Sequence, residues 1–182
     1  MNPSRLFELS AVVSSLFYTY LIGIGSVYCW GFALYSGLVF TYLCFSKRIY
    51  AEAFLHVFYF VIGIYGWLNW GENSSNGFST SLPWDIHILA IIGLSVISFW
   101  IAKLLGRFSD AKMVYLDSFT TVFSIWATVL MVQLIVDNWI YFLFINAAAF
   151  FLYFSRKLYF TAALMIVYVA LSIKGYQEWL TL

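Results

Sequence analysis

The sequence predicts an all-α integral membrane protein whose seven transmembrane helices form a 3+1+3 arrangement: two parallel three-helix repeats joined by a linker helix. Three observations predict it. The chain of 182 residues is 64% apolar, 23% aromatic and only 9% charged, which leaves too little polar surface to clothe a water-soluble domain. Residues 27–70 reappear, without a gap, 109 positions later. Eight of the nine Lys and Arg residues fall on one side of the threading that the apolar segments define.

Crossing the ~30 Å hydrocarbon core takes roughly 20 mostly apolar residues as a helix. Breaks at Gly, Pro and charge clusters place the spans at 6–24, 27–45, 49–70, 86–105, 114–134, 138–155 and 158–180. The runs are long and continuous, not alternating over short segments, so helices are expected and a barrel is not. The first span carries Glu8 and a Ser/Thr-rich face and lacks a small-x-small cleavage site, so it is expected to be retained. The second holds both cysteines, Cys29 and Cys44, at a spacing that suggests neither metal nor disulfide. The third puts His56, Tyr59, Gly63, Trp67 and Trp70 on roughly one face. The polar stretch Gly71–Leu82, ended by Pro83 and Trp84, is the one long loop. The fourth span is rich in Ile and Leu, with little beyond Ser95 and Ser98 in its middle, and reads as the linker. The fifth carries Asp117, Thr120, Thr121, Ser124 and Thr128 three or four apart, the sixth has Asn146 near its middle, and the seventh contains Tyr168. No soluble domain is expected at either end.

This threading gathers Arg5, Lys47, Arg48, Lys103, Arg107, Lys112, Arg156 and Lys157 on one side and leaves Lys174 toward the other. The positive-inside rule then makes the N-terminus cytoplasmic and the C-terminus external. In the repeat, Trp30 meets Trp139, Phe45-Ser46-Lys47-Arg48 meets Phe154-Ser155-Arg156-Lys157, Tyr59 meets Tyr168, Gly66 meets Gly175 and Trp70 meets Trp179. The first and fifth spans match more weakly, through Glu8, Ser15 and Thr19 against Asp117, Ser124 and Thr128. A three-helix unit copied directly would be inverted; the fourth span restores its direction, giving a pseudo-two-fold axis along the membrane normal. One transmembrane domain over 1–182 is therefore expected, with repeats at 6–70 and 114–180 around a linker at 86–105.

Polar groups at membrane depth are the candidate functional residues. The Ser and Thr hydroxyls either pack helices or line a path. Glu8 and Asp117, near the basic end of their spans, read as wet helix-start acids and not as a proton relay. An unpaired Asn146 amide costs on the order of a few kcal/mol in hydrocarbon, so another helix, water or a substrate must satisfy it. His56 is either a structural histidine or part of a lined pathway. Trp67, Trp70, Trp84, Trp139 and Trp179 suit an interfacial belt or a site that stacks on a flat, cationic ring. Gln133 and Asn138 lie toward the outer end. The formal net charge of +1 leaves no footprint for nucleic acid. Two distant histidines, His56 and His87, and no acidic pair at depth give no metal site, no cofactor and no catalytic cluster, so a non-enzymatic protein is expected.

The segments Tyr65-Gly66-Trp67-Leu68-Asn69-Trp70, Tyr115-Leu116-Asp117-Ser118-Phe119-Thr120-Thr121, Asp137-Asn138-Trp139 and Gly175-Tyr176-Gln177-Glu178-Trp179 resemble, in this order and over nearly the whole chain, the PnuC family of vitamin transporters. The resemblance implies a fold similar to the SWEET sugar transporters but oppositely oriented, a multi-pass place in the bacterial inner membrane, and a homotrimer. It also implies facilitated uptake of an unphosphorylated vitamin, which a cytosolic kinase then traps by phosphorylation. Nicotinamide riboside is the commonest substrate of the family, and relatives carry thiamine or riboflavin. Proton coupling and a non-transporting scaffold are the alternatives. The family's WxxW motif is matched by Trp67 and Trp70 and its Asn-Trp motif by Asn138 and Trp139. With His56, Tyr59, Ser124, Asn146 and Tyr168, these are the expected substrate-binding residues. Nicotinamide riboside carriers usually have a Trp at the place of Phe142, an acid at that of Asn146 and an Asn or Gln at that of His56. These departures bring thiamine level with nicotinamide riboside as the expected substrate.

Overall fold

A computed structural model describes residues 3–74, 81–108 and 113–181, with side chains at 6–69, 81–108 and 113–181. Seven helices follow one another: α1 (Pro3–Gly23), α2 (Cys29–Ser46), α3 (Tyr50–Ser74), α4 (Trp84–Phe108), α5 (Val114–Val132), α6 (Asn138–Ser155) and α7 (Tyr159–Trp179). All seven are long and apolar enough to cross a membrane. They reproduce the expected spans, with α3 and α4 running a few residues further. The expected loop Gly71–Leu82 is shorter than predicted, because α3 continues through Ser74; residues 75–80 of it lie outside the described residues.

The helices end where the chain can turn sharply. After α1, Gly25 takes φ 73°, and after α5, Leu134 takes φ 60°. Each is followed by a bond that reaches five residues back, Ser26 N–H to the Leu21 carbonyl at 2.9 Å and Ile135 N–H to the Leu130 carbonyl at 2.9 Å. The same turn closes α2 and α6. Arg48 and Lys157 sit at φ 59° and 60°, and Ile49 and Leu158 donate to Cys44 at 3.0 Å and Tyr153 at 3.1 Å. These left-handed caps satisfy carbonyls that each helix end leaves over. Every pair is 109 residues apart, so the sequence repeat is also a repeat of turn geometry.

Backbone packing follows the same pattern. Within the first three helices α2 lies against α1 and α3; within the last three α6 lies against α5 and α7; α1 meets α7, α3 meets α5, and α4 approaches α5. Lipid offers no hydrophobic drive for helices to associate, so close approach through small residues has to supply it. Here Gly66 of α3 takes the Trp30 indole of α2, and Gly175 of α7 takes the Trp139 indole of α6. Both tryptophans sit at a helix start and both glycines near a helix end, so neighbouring helices run antiparallel. The α5 helix is the most enclosed, with Asp117, Thr120, Thr121, Ser124 and Thr128 all buried. The α4 helix is the least, burying only Ser98 and Ala102.

Hydrogen bonds tie the two halves together at the end where α1, α3, α5 and α7 begin. Glu8 of α1 accepts from the Thr161 N–H of α7 at 3.2 Å and from its hydroxyl at 3.1 Å. Asp117 of α5 accepts from the Glu52 N–H of α3 at 3.1 Å. Each half thus lends an acid to the first turn of the other half's third helix. The Arg156 guanidinium joins the two basic turns at this end, donating to the Lys47 and Arg48 carbonyls at 3.5 and 3.4 Å. The expectation of wet acids at Glu8 and Asp117 is corrected: both are buried, Asp117 fully. Their carboxylates are turned inward by the orphan N–H groups and partial positive charge of a helix start.

Candidate functional site

Between the two halves lies a cavity with about 1090 Å³ of space between atoms, its open mouth included. Every helix except α4 contributes described lining residues. Most lining positions come in pairs 109 apart: Ser15 with Ser124, Thr19 with Thr128, Trp30 with Trp139, His56 with Met165 and Tyr59 with Tyr168. The cavity therefore sits where a two-fold relation between the halves would place its axis.

The walls are built across that relation. The Tyr59 hydroxyl of α3 meets Ser124 and Thr128 of α5, and the Tyr168 hydroxyl of α7 meets Thr19 and Ser15 of α1. Toward the end where α2 and α6 begin, Trp30 and Trp139, 1% and 3% exposed, close the chamber. The Trp139 ring stands edge-on to Trp179, centroids 5.4 Å apart and planes at 87°. In the middle, His56 stacks on Phe40 at 5.0 Å and meets Tyr59 edge-on at 5.6 Å. Asn146 donates to the Ser172 hydroxyl at 3.4 Å, and the Ser172 hydroxyl in turn donates to the Tyr168 carbonyl at 2.8 Å. At the far end, Glu52 accepts from the Thr120 hydroxyl at 2.5 Å and from the Tyr153 hydroxyl at 3.0 Å.

Two polar lining atoms are buried without a protein partner, His56 Nε2 and Trp139 Nε1. Buried donors and acceptors are almost always paired, so such atoms point to a ligand or water. An aromatic, polar-tipped chamber of this kind offers stacking faces and hydrogen-bonding groups to a small molecule.

Of the expected site residues, His56, Tyr59, Ser124, Trp139, Asn146 and Tyr168 come together around the cavity. Trp67 and Asn138 do not line it. Trp67, 48% exposed, lies against Gly31, because the start of α2 crosses that part of α3 and fills the face. The Asn138 amide is buried and donates back to the Ile135 carbonyl at 2.6 Å, which fastens the start of α6. The Trp70 side chain lies outside the described residues. The belt reading of the tryptophans divides: Trp84 is exposed, whereas Trp139 and Trp179 are core residues. Among the lining residues that sequence reasoning missed are Trp30 and Glu52. Trp30 was legible, since it is the repeat partner of Trp139. Glu52 was not singled out, because although it lay inside the expected third span, only the packing of α5 and α6 against it buries its carboxylate; with Asp117 it forms a buried acidic pair, where none was expected.

Fold and chamber define a class, a polytopic membrane protein with a cavity between two like halves. The model of the nicotinamide mononucleotide transporter family matches residues 5–181, and the chain belongs to that family. It is 23% identical to the nicotinamide riboside transporter PnuC of Escherichia coli (strain K12) over 177 aligned residues, covering 82% of this chain and 74% of the relative. The nicotinamide riboside transporter PnuC of Shigella flexneri matches to the same extent. Its fold is similar to that in the crystal structure of the vitamin B3 transporter PnuC, with a TM-score of 0.83 and 20% identity over 99% of this chain and 83% of that one. The chain is a membrane transporter, and its seven spans and bacterial family make it a multi-pass inner-membrane protein.

Proposed function

We propose that this protein carries an unphosphorylated, positively charged vitamin, nicotinamide riboside or thiamine, down its gradient into the cytoplasm, where phosphorylation traps it. The observation that carries the reading is the cavity itself: indole, phenol and imidazole rings surround it, and hydroxyls and the Asn146 amide stud its walls. A pyridinium or thiazolium ring gains about 0.5–2 kcal/mol from each aromatic face it meets, and the hydroxyls of ribose or of thiamine find partners among the polar groups. The relatives' names favour nicotinamide riboside. His56, Phe142 and Asn146, the three positions at which nicotinamide riboside carriers usually differ, all line the cavity, which keeps thiamine beside it.

Alternation between the halves follows from the paired contacts, with 6–70 and 114–180 moving as like-oriented bundles about the linker. The meeting of the basic turns at Arg156 supports a cytoplasmic location for that end, and so for the N-terminus. The large unburied surface of α4 is compatible with a homotrimer in lipid. Uniport is favoured over proton coupling because Glu8 and Asp117 are each engaged as caps.

The test is uptake of labelled nicotinamide riboside and thiamine into empty liposomes, with neither ATP nor an imposed ion gradient. Entry of at least one, to equal concentration on both sides, is expected. Transport of a different solute alone sinks the substrate assignment, and accumulation that follows a pH gradient sinks uniport.

A further inference from the structure

We infer that Glu52, held by Thr120 and Tyr153, is the counter-charge that selects a cationic ring in the cavity; this rests on the reading of that cavity as the solute site. Glu52 is the only carboxylate among the described lining residues, and no Lys or Arg lines the cavity among them. It is 3% exposed. Each carboxylate oxygen accepts one hydroxyl, from Thr120 and from Tyr153. A carboxylate oxygen has two acceptor sites, so both retain capacity for a ligand.

A bland reading is available: an acid in the first turn of α3 stabilises the helix start. Two observations count against it. The start of α3 already has an acid, Asp117, on the Glu52 N–H, and the Glu52 carboxylate is turned away, toward α5 and α6. The other half of the molecule then serves as an internal control. The positions 109 away from Glu52, Thr120 and Tyr153 are Thr161, Ala11 and Cys44. There α7 begins with the same kind of cap, from Glu8, Ala11 packs in an apolar cluster, and the Cys44 thiol lies against Tyr153 itself. The helices need no such triad to pack, since one half does without it. All three departures from the repeat fall in one place, and together they make a carboxylate with two donors facing the chamber.

A second negative group, Asp117, lies directly behind. Arg156 faces Asp117 from the turn side and is not a lining residue. A buried carboxylate without a cation is costly, and a cationic solute supplies the missing partner in a site walled from water, where the attraction is least screened.

The experiment compares probes of similar shape that differ in charge, measured by titration on purified wild-type protein and Glu52→Gln. One pair is nicotinamide riboside against its neutral dihydro form; the other is N-methylnicotinamide against nicotinamide. Wild type is expected to prefer each cation, and Glu52→Gln to lose at least about tenfold for the cations while the neutral partners change much less. Glu52→Asp, which keeps the charge, should retain the preference. Thr120→Val with Tyr153→Phe, which frees the carboxylate, should weaken it. Thermal unfolding in detergent verifies that each variant is folded; if Glu52→Gln is not, the cation-to-neutral ratios of the other two variants decide. An unchanged ratio in Glu52→Gln, or equal losses for cation and neutral probe, overturns the inference. Should wild type ignore the riboside pair yet prefer N-methylnicotinamide over nicotinamide, nicotinamide riboside is excluded as the vitamin and the counter-charge stands; no preference in either pair ends it.

Discussion

Replacing Gly66 by Ala puts a methyl group into the face of the Trp30 indole. An ideal Cβ at Gly66 would lie 2.6 Å from Trp30 Cδ2 and nearer still to its Cε2 and Cζ2, where ordinary contact begins at 3.4 Å. The ring must withdraw by roughly 1 Å, and since Trp30 is buried and lines the cavity, it can only move into the chamber or push α2 off α3. Overpacking of this size costs about 1–3 kcal/mol. Helix propensity acts in the opposite direction by about 0.5–1 kcal/mol, so a net loss of up to about 2 kcal/mol is expected, with weaker ligand binding if the indole moves inward. The assay is thermal unfolding of the purified protein in detergent, followed by tryptophan fluorescence, alongside a ligand titration. Gly175→Ala, facing Trp139 at 2.6 Å, should behave alike, while Gly93→Ala, whose Cβ meets nothing within 4 Å, should not destabilise. Trp30→Phe should partly rescue Gly66→Ala, a coupling that a double-mutant cycle measures. If Gly66→Ala is as stable as Gly93→Ala and binds normally, the close approach of Trp30 and Gly66 is not what joins these helices.

Other contacts give further expectations. Asp117→Ala leaves the buried N–H of Glu52 without its acceptor and should cost about 1–3 kcal/mol in unfolding experiments, whereas Asp117→Asn, which keeps the Oδ1 acceptor, should cost less; Glu8→Ala against Glu8→Gln should repeat the pattern at α7. Lys157 is exposed and strained at φ 60°, so Lys157→Gly should raise stability by about 1 kcal/mol and Lys157→Val should lower it. Asp137 accepts from the Leu82 N–H at 2.6 Å and contacts His87 Nε2 at 3.2 Å; Asp137→Ala should therefore speed amide exchange at Leu82 by about tenfold, the effect of losing about 1.4 kcal/mol.

The helices were readable because lipid imposes one rule on them. A span must be long, apolar and internally bonded, and that is visible in composition alone. Their ends were readable where the chain turns on Gly25 or on the Lys47-Arg48 and Arg156-Lys157 pairs. The packing was readable only in part. The pairing of Gly66 with Gly175 and Trp30 with Trp139 stood in the repeat, but nothing local said that each glycine receives the tryptophan of the helix beside it. The exchanged caps, Glu8 on Thr161 and Asp117 on Glu52, were beyond reach of the sequence for a plainer reason. A carboxylate at a span end is wet or buried according to what another helix lays over it, and here that helix is 153 or 65 residues away.

The site shows how a repeat both reveals and hides function. Two like halves enclose a chamber with paired walls, yet neither of the proposed solutes, nicotinamide riboside and thiamine, has a two-fold axis. A fully symmetric cavity would bind such a ligand in two equivalent poses, with each polar group of the wall offered twice. A single pose can be fixed only where the copies have diverged: Glu52 against Thr161, His56 against Met165, and Asn146 against Gly37. The conserved pairs, Trp30 with Trp139 and Tyr59 with Tyr168, then supply the sequence-tolerant part of recognition, aromatic surface that any flat ring can use. Trp67, chosen by motif, stands outside the cavity, and Glu52, in no motif, stands inside it. For a carrier built by duplication, the positions at which the two halves disagree inside the shared cavity are a better guide to what is carried than those at which they agree.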